Sequence, residues 1–229
     1  MEKYPSPSTR VALFDVCKTL VNLTTVTDFT DSVLLSRQAN PRFQLGTFLV
    51  HQVIKFGRYR LRLVGSDTYR RHLVSLYRGY SEQEIDGLAR AYMPRLINAI
   101  HPGMLERLET LRREGYRIFL VSGGLEPYLK PFAEHLRAEL VASTLTCTKE
   151  GIYIGTIAGT DCLGEGKVTK LKRGLREFDS IDWTASTAFG DSATDIPILS
   201  LVGHPVAVNP DQVLEDHARA NEWEIVRTL

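Results

Sequence analysis

The first apolar run of this chain, Val11-Ala12-Leu13-Phe14, stops at an aspartate, Asp15. A short apolar run near the start of an α/β chain reads as a buried parallel strand. Open α/β sheets place their ligands at the carboxyl ends of such strands, so a carboxylate there is well placed for chemistry. The alternative is a loop cap for the next helix. Three later stretches carry comparable features. Phe119-Leu120-Val121 ends in Ser122-Gly123-Gly124, a hydroxyl followed by two residues that let the backbone approach closely and expose its N–H groups, although Ser-Gly-Gly alone is also just a turn. Lys167 closes the run Gly164-Glu165-Gly166-Lys167, and a lone lysine is normally a surface residue. Ala188-Phe189-Gly190 ends in Asp191, with Asp195 four residues on. Asp195 also suits a helix start, where the dipole favours an acid.

In this order and spacing the four stretches resemble the four motifs of the haloacid dehalogenase superfamily, mostly phosphatases. The resemblance runs from about Thr9 over nearly the whole chain. It is closest to the phosphoserine-phosphatase-like branch, whose helical cap lies between the first and second motifs. It implies a phosphatase acting on a small phosphorylated metabolite, with Asp15 as the nucleophile that forms an aspartyl-phosphate. It implies Mg²⁺, which offsets the repulsion between a carboxylate and a phosphate dianion. Asp15, Asp191 and the backbone carbonyl of Cys17 would be its ligands, and Asp195 would hold a metal-bound water or orient Lys167. Ser122 and Gly123 would bind the phosphoryl oxygens, and Lys167 would neutralise the charge there.

Three positions depart from the family pattern. The pattern reads Asp-x-Asp-x-Thr, and its second aspartate is the general acid and base; here that position is Cys17. Such proton transfer is worth roughly 10²–10⁴-fold in rate, and a thiol can give a proton but cannot act as a carboxylate base. The loss is compatible with a good leaving group, with a related C–P or C–halogen reaction, or with slow turnover. A phosphate-binding or regulatory protein without turnover is a further reading. Lys18 replaces a residue that is usually small; it contacts substrate or simply faces solvent. Phosphoserine phosphatases carry a glutamate nine residues after the nucleophile to read the substrate amine; Thr24 stands there, which argues against phosphoserine. The Asp-Val-Cys-x-Thr-Leu and Asn-x-Thr-Thr pattern also resembles members of this branch associated with bacterial surface-polysaccharide genes, so a sugar phosphate is a candidate substrate.

The elements that must position these residues alternate between strand and helix, which predicts a Rossmann-like, doubly wound parallel sheet with both faces covered. The predicted catalytic core is 1–21 and 97–229, and 22–96 is an inserted helical cap. Within the cap, one helix carries Phe29, Val33 and Leu34. A second, closing near Gly57, carries Phe43, Phe48, Val50, Val53, Ile54 and Phe56. A third carries Tyr69, Leu73, Leu76 and Tyr77 and ends at Gly79. A fourth opens with a capping box, Ser81 with Glu84, and runs to Pro94. The 21–100 stretch holds eleven Lys/Arg against six Asp/Glu, a net +5, which leaves −4 for the remainder. A solvated helix surface accounts for this, or one or two arginines reach the substrate, with the Lys55-to-Arg62 run as the source.

The bulk numbers fit this reading. A chain of 229 residues holds one α/β domain with a modest insertion. A net charge of +1 gives no global case for nucleic-acid or membrane binding. No apolar run approaches the length needed to span a bilayer. Met1 to Thr9 lacks the apolar core of a signal peptide and reads as a frayed tail. Cys17, Cys147 and Cys162 match neither a zinc spacing nor a disulfide framework, so a reducing, cytoplasmic setting is expected. The six histidines match no metal spacing and read as structural or surface residues.

Overall fold

The computed structural model describes residues 8–35, 44–177 and 180–228. Val11–Phe14 forms β1, buried at all four positions. It pairs in parallel with β2 (Arg117–Leu125) on one side and with β6 (Thr187–Gly190) on the other. With β3 (Glu139–Ser143), β7 (His204–Val208) and β8 (Glu224–Val226) the sheet order is β3-β2-β1-β6-β7-β8, every pair parallel. The chain therefore winds outward from β1 to β3 and returns to the other side of β1 at β6. That reversal makes the carboxyl ends of β1 and β6 the topological switch point, where an open sheet has a crevice. A separate hairpin, β4 (Leu145–Cys147) with β5 (Tyr153–Ile157), projects beside the sheet.

Four helices stand between β1 and the next core helix: α1 (Thr25–Leu35), α2 (Leu45–Tyr59), α3 (Ser66–Ser75) and α4 (Glu82–Asn98). The core helices are α5 (Pro102–Arg113), α6 (Glu126–His135), α7 (Glu165–Gly174), α8 (Ile196–Leu199) and α9 (Gln212–Ala220). Strand side chains alternate between faces. Ala12, Phe14, Leu120 and Phe189 thus join one apolar cluster with α1 and α3–α6, while Val11, Leu13, Phe119 and Ala188 join a second under α7–α9. Phe14 and Phe189 stack across β1 and β6 at 4.4 Å between centroids. Phe29 of α1 packs on Tyr128 of α6 at 4.6 Å, so the inserted helices share their apolar packing with the sheet. The turn between α3 and α4 is pinned to the hairpin by Gly79 N–H to Tyr153 O and Tyr153 N–H to Tyr80 O, both 2.8 Å.

The capping box forms, with Ser81 and Glu84 each accepting the other's backbone N–H. Other boundaries shift. Helix α2 passes through Gly57 to Tyr59, and α4 passes through Pro94 to Asn98. Pro94 removes only the N–H that would bond the carbonyl of exposed Arg90, while the fully buried Leu96 anchors the following turn. Strand β2 continues past Ser122 to Leu125, with a register break between those residues. Of the expected tail, 1–7 lies outside the described residues, and Thr9 is already paired with Ile181. Phe43 also lies outside the described residues. Val50, Val53 and Phe56 of α2 are each more than half exposed.

Candidate active site

Asp15 is the first residue beyond β1, and its N–H donates to Phe189 O at 2.9 Å, which ties the end of β1 to the end of β6. The chain then turns tightly, with the N–H groups of Leu20 and Val21 both donating to Val16 O. Lys18 sits in this turn at φ +58°, a region that favours glycine and costs other residues roughly 1–2 kcal/mol. That conformation gives a physical reason for a small residue at this position. The turn also fixes Cys17: its Sγ donates to Leu23 O at 3.2 Å, and the Lys18 N–H meets the same carbonyl.

Lys167 lies in the first turn of α7 and is 2% exposed. Its Nζ donates to Asp15 Oδ1 at 2.6 Å and to Asp195 Oδ1 at 2.5 Å. Gly166 lets α7 approach this closely, because a Cβ there would lie 1.9 Å from Asp161 O. The other oxygen of Asp195 accepts from the backbone N–H groups of Asp191 at 3.2 Å and Ser192 at 3.1 Å, and from Ser192 Oγ. Both Asp195 oxygens are thereby occupied by the chain itself, which suits it to holding Lys167 and the Asp191 loop. Gly190 makes room for it: a Cβ there would lie 2.5 Å from Asp195 Cβ. Gly190→Ala is expected to push Asp195 away from Lys167 and to lower turnover about 10²-fold, the scale of an ångström of misplacement. Steady-state kinetics beside a thermal melt would separate this from unfolding.

Oxygens of Asp15, Asp191 and Asp195 lie within 4.8 Å of one another, the one such cluster among the described residues. Three carboxylates face a single ammonium. Burial raises the Asp15 carboxyl to about 6 against the pull of Lys167, and burial with the neighbouring Asp15 and Asp195 charges raises Asp191 to about 8. Burial works to lower the Lys167 ammonium, but Asp15 and Asp195 outweigh it and hold it above its usual range. This excess of negative charge on oxygen donors fits a hard divalent cation. Burial, then the Asp15 charge, pushes the Cys17 thiol up to about 12, so it is neutral at physiological pH.

All the residues singled out in the sequence line one cavity of about 290 Å³: Asp15, Cys17, Lys18, Thr24, Ser122, Gly123, Lys167, Asp191 and Asp195. Ser122 is fully buried, and its Oγ accepts from Gly124 N–H at 3.1 Å, shaping the Gly-Gly turn. A larger cleft of about 590 Å³ between α4, α6 and the hairpin contains none of these groups. Two arginines of the inserted helices reach this cavity: Arg58, from the expected basic run, and Arg70, from outside it.

Arg70 belongs to a clamp that the sequence did not signal. Its Nη2 donates to Asp161 Oδ1 at 2.7 Å and its Nε to Asp161 Oδ2 at 3.1 Å, while Nη2 also reaches Ser143 Oγ at 3.0 Å. Fully buried Ser143 donates to Asp161 in turn. These partners lie 73 and 91 residues from Arg70, with no local pattern to join them. Burial alone would raise the Asp161 carboxyl, but Arg70 and Ser143 outweigh it and hold it below its ordinary value. A depressed carboxylate stabilises the fold above its unfolded pKa and loses that contribution as pH falls through the folded one. The stability gap between wild type and Arg70→Ala is therefore expected to be widest where Asp161 is ionised in both folded proteins and to narrow as pH falls into the acid range. Urea titrations across that range would detect it; a gap that grows in acid would remove Asp161 from this role.

The comparisons with known proteins agree with this architecture. The family model for haloacid dehalogenase-like hydrolases matches residues 12–200, and the chain belongs to that family. It is an enzyme of the phosphatase type, similar to the phosphoserine-phosphatase-like members. A histidinol-phosphatase of Neisseria meningitidis is 31% identical, over 94% of this chain and 97% of its own. A phosphoserine phosphatase, SerB1, of Mycobacterium tuberculosis is 28% identical over 96% of this chain and 71% of its own. Among solved structures, a Bordetella pertussis protein superposes with a TM-score of 0.82 at 23% identity, covering 96% of this chain and 98% of that one, a likeness of fold. No helix among the described residues is long and apolar enough to cross a membrane.

Proposed function

We propose that this enzyme is a Mg²⁺-dependent phosphatase that hydrolyses a small phosphorylated metabolite through an aspartyl-phosphate on Asp15. The observation that carries the reading is the position of Asp15 at the sheet's switch point, 2.6 Å from a buried lysine and clustered with Asp191 and Asp195. Asp15, Asp191 and the Cys17 carbonyl would hold the cation, which when bound offsets charge between the nucleophile and the phosphoryl group. A carboxylate oxygen of Asp15 attacks phosphorus, the P–O bond to the leaving group breaks, and the leaving oxygen takes a proton from water, since no carboxylic acid stands at position 17. Water then attacks the phosphorus of the acyl phosphate, frees Asp15 and gives inorganic phosphate. Lys167, Ser122 and the Gly123 backbone bind the phosphoryl oxygens, and Asp195 keeps Lys167 in place. The 22–96 insertion acts as the cap over this site. The unpaired cysteines fit a reducing, cytoplasmic setting.

The cavity wall also bears on the substrate. Beyond the carboxylate cluster it offers Thr24, Thr25, Thr27, Tyr69 and Arg58 but no further acid to read an ammonium group. That supports a hydroxyl-rich substrate such as a sugar phosphate over an amino-acid or amino-alcohol phosphate. A phosphate-release screen with and without Mg²⁺ tests both levels, using p-nitrophenyl phosphate, acetyl phosphate, sugar phosphates, phosphoserine and histidinol phosphate. Release that needs Mg²⁺ and favours sugar phosphates is expected. Preference for the amine substrates would overturn the substrate class, and Mg²⁺ binding without release from any compound would favour a binding role. Protons compete with the cation for Asp15 and Asp191, so Mg²⁺ affinity measured by calorimetry is expected to fall as pH drops from about 8 towards 6.

A further inference from the structure

Helix α2 is turned inside out relative to an ordinary surface helix. Its inward side is polar. His51 is fully buried, with Nε2 against Asp31 Oδ1 at 2.9 Å and Nδ1 against His72 Nε2 at 3.2 Å. Lys55 pairs with Asp31, and Arg58 lines the catalytic cavity. These contacts to α1 and α3 fix the rotation of α2 about its axis. The opposite side carries Leu45, Leu49, Val53 and Phe56, which are 55%, 53%, 71% and 54% exposed. Spacings of four, four and three residues at about 100° each put them within one narrow stripe. The chain beyond the helix continues the pattern, with Leu61 and Leu63 at 53% and 77% exposure alternating with exposed Arg60 and Arg62.

An apolar stripe held outward by a buried polar cluster calls for a cover, and none lies among the described residues. Charge selects the occupant. Beside the stripe stand the exposed Arg60 and Arg62, while Lys55 and Arg58 are turned inward, and residues 44–66 contain no Asp or Glu. Two copies of this face would bring basic segments together with no acid from 44–66 to meet them. An anionic lipid surface complements both features: Leu and Phe enter the boundary between headgroups and acyl chains while Arg pairs with lipid phosphate.

We propose that α2 and the 60–63 turn dock peripherally on an anionic phospholipid bilayer. The near-zero net charge of the chain hides this face, because it averages a +5 insertion with a −4 remainder. Docking fixes the helix that also supplies Arg58 to the cavity wall.

Flotation of the full chain with phosphatidylcholine vesicles, with and without about a third phosphatidylglycerol, tests the proposal. Binding is expected only with the anionic lipid and is expected to weaken as salt is raised. Leu49→Glu with Phe56→Glu should abolish it, and Arg60→Ala and Arg62→Ala should each weaken it about fivefold. All four side chains are exposed, so thermal midpoints should stay at the wild-type value and show that the fold is intact. Equal binding of the wild type and the double glutamate variant would overturn the proposal. So would a wild type that ignores both vesicle types, whether it sediments as a monomer or as a dimer that the glutamates split.

Discussion

Asp15→Asn is expected to remove phosphate release altogether, a loss on the order of 10⁴–10⁶-fold, the scale of deleting a hydrolase nucleophile. The amide cannot form the acyl phosphate, while the geometry around it persists. Lys167 keeps its bond to Asp195, and Asp195 keeps its backbone donors. The variant is also informative about stability. Asp15 has a raised carboxyl because burial opposes its charge. A group with a raised folded pKa weakens the metal-free fold above that value, and a neutral amide relieves it. The metal-free variant should therefore melt no lower than wild type near pH 8, while losing turnover and most Mg²⁺ affinity. Quenched-flow labelling with radioactive phosphate ester would find phosphoenzyme in the wild type and none in the variant. Activity within tenfold of wild type would remove Asp15 as the nucleophile.

Cys17→Asp is expected to give the largest gain, roughly 10²–10⁴-fold on alkyl phosphates, whose leaving groups need a proton. The thiol in the natural chain is neutral, and its proton is directed at the Leu23 carbonyl, so it offers no carboxylate base to activate water. The substituted aspartate would stand near Asp15 and Asp191, which favours its protonated, acid-competent form. The gain should be small for p-nitrophenyl phosphate or acetyl phosphate, whose leaving groups depart without help. A plot of log kcat against leaving-group pKa should be steep for wild type and flatter for the variant. Equal slopes would mean that the missing acid is supplied elsewhere or is not limiting. A fourth acid in the cluster carries a cost, about 1–3 kcal/mol of metal-free stability, so the comparison belongs at saturating Mg²⁺.

Much of the candidate site was legible in the sequence because Asp15, Ser122 and Asp191 each follow a run whose structure is local, whereas the burial of Lys167 was not. Val11–Phe14, Phe119–Val121 and Ala188–Gly190 are short apolar stretches that read as buried strands, and a right-handed crossover topology sends all their carboxyl ends to one edge. Asp15, Ser122 and Asp191 converge for that reason, without any long-range rule being needed. The capping box at Ser81 was readable for the same reason, since it depends on the nearest few residues, whereas α3 closes at Ser75, short of the Gly79 expected to end it. The end of α4 was misplaced because Pro94 is a local stop signal that the burial of Leu96 overrides.

The order of strands and helices, the candidate reactive groups and the cysteine at the position of the family's acid could be read from the chain before any fold was known. Those follow from residue type and short-range pattern. Long-range packing settles which arginines of the inserted helices reach the cavity, that Asp195 spends both oxygens on Lys167 and the Asp191 loop, and that Arg70 is clamped to Asp161. It also decided which side of α2 faces out. Hydrophobic periodicity marks an apolar stripe on a helix but does not say what the stripe meets. Here the burial of His51 with Asp31 and His72 fixes the rotation, and that contact joins three successive helices through residues 20 and 21 positions apart, beyond the reach of any local pattern.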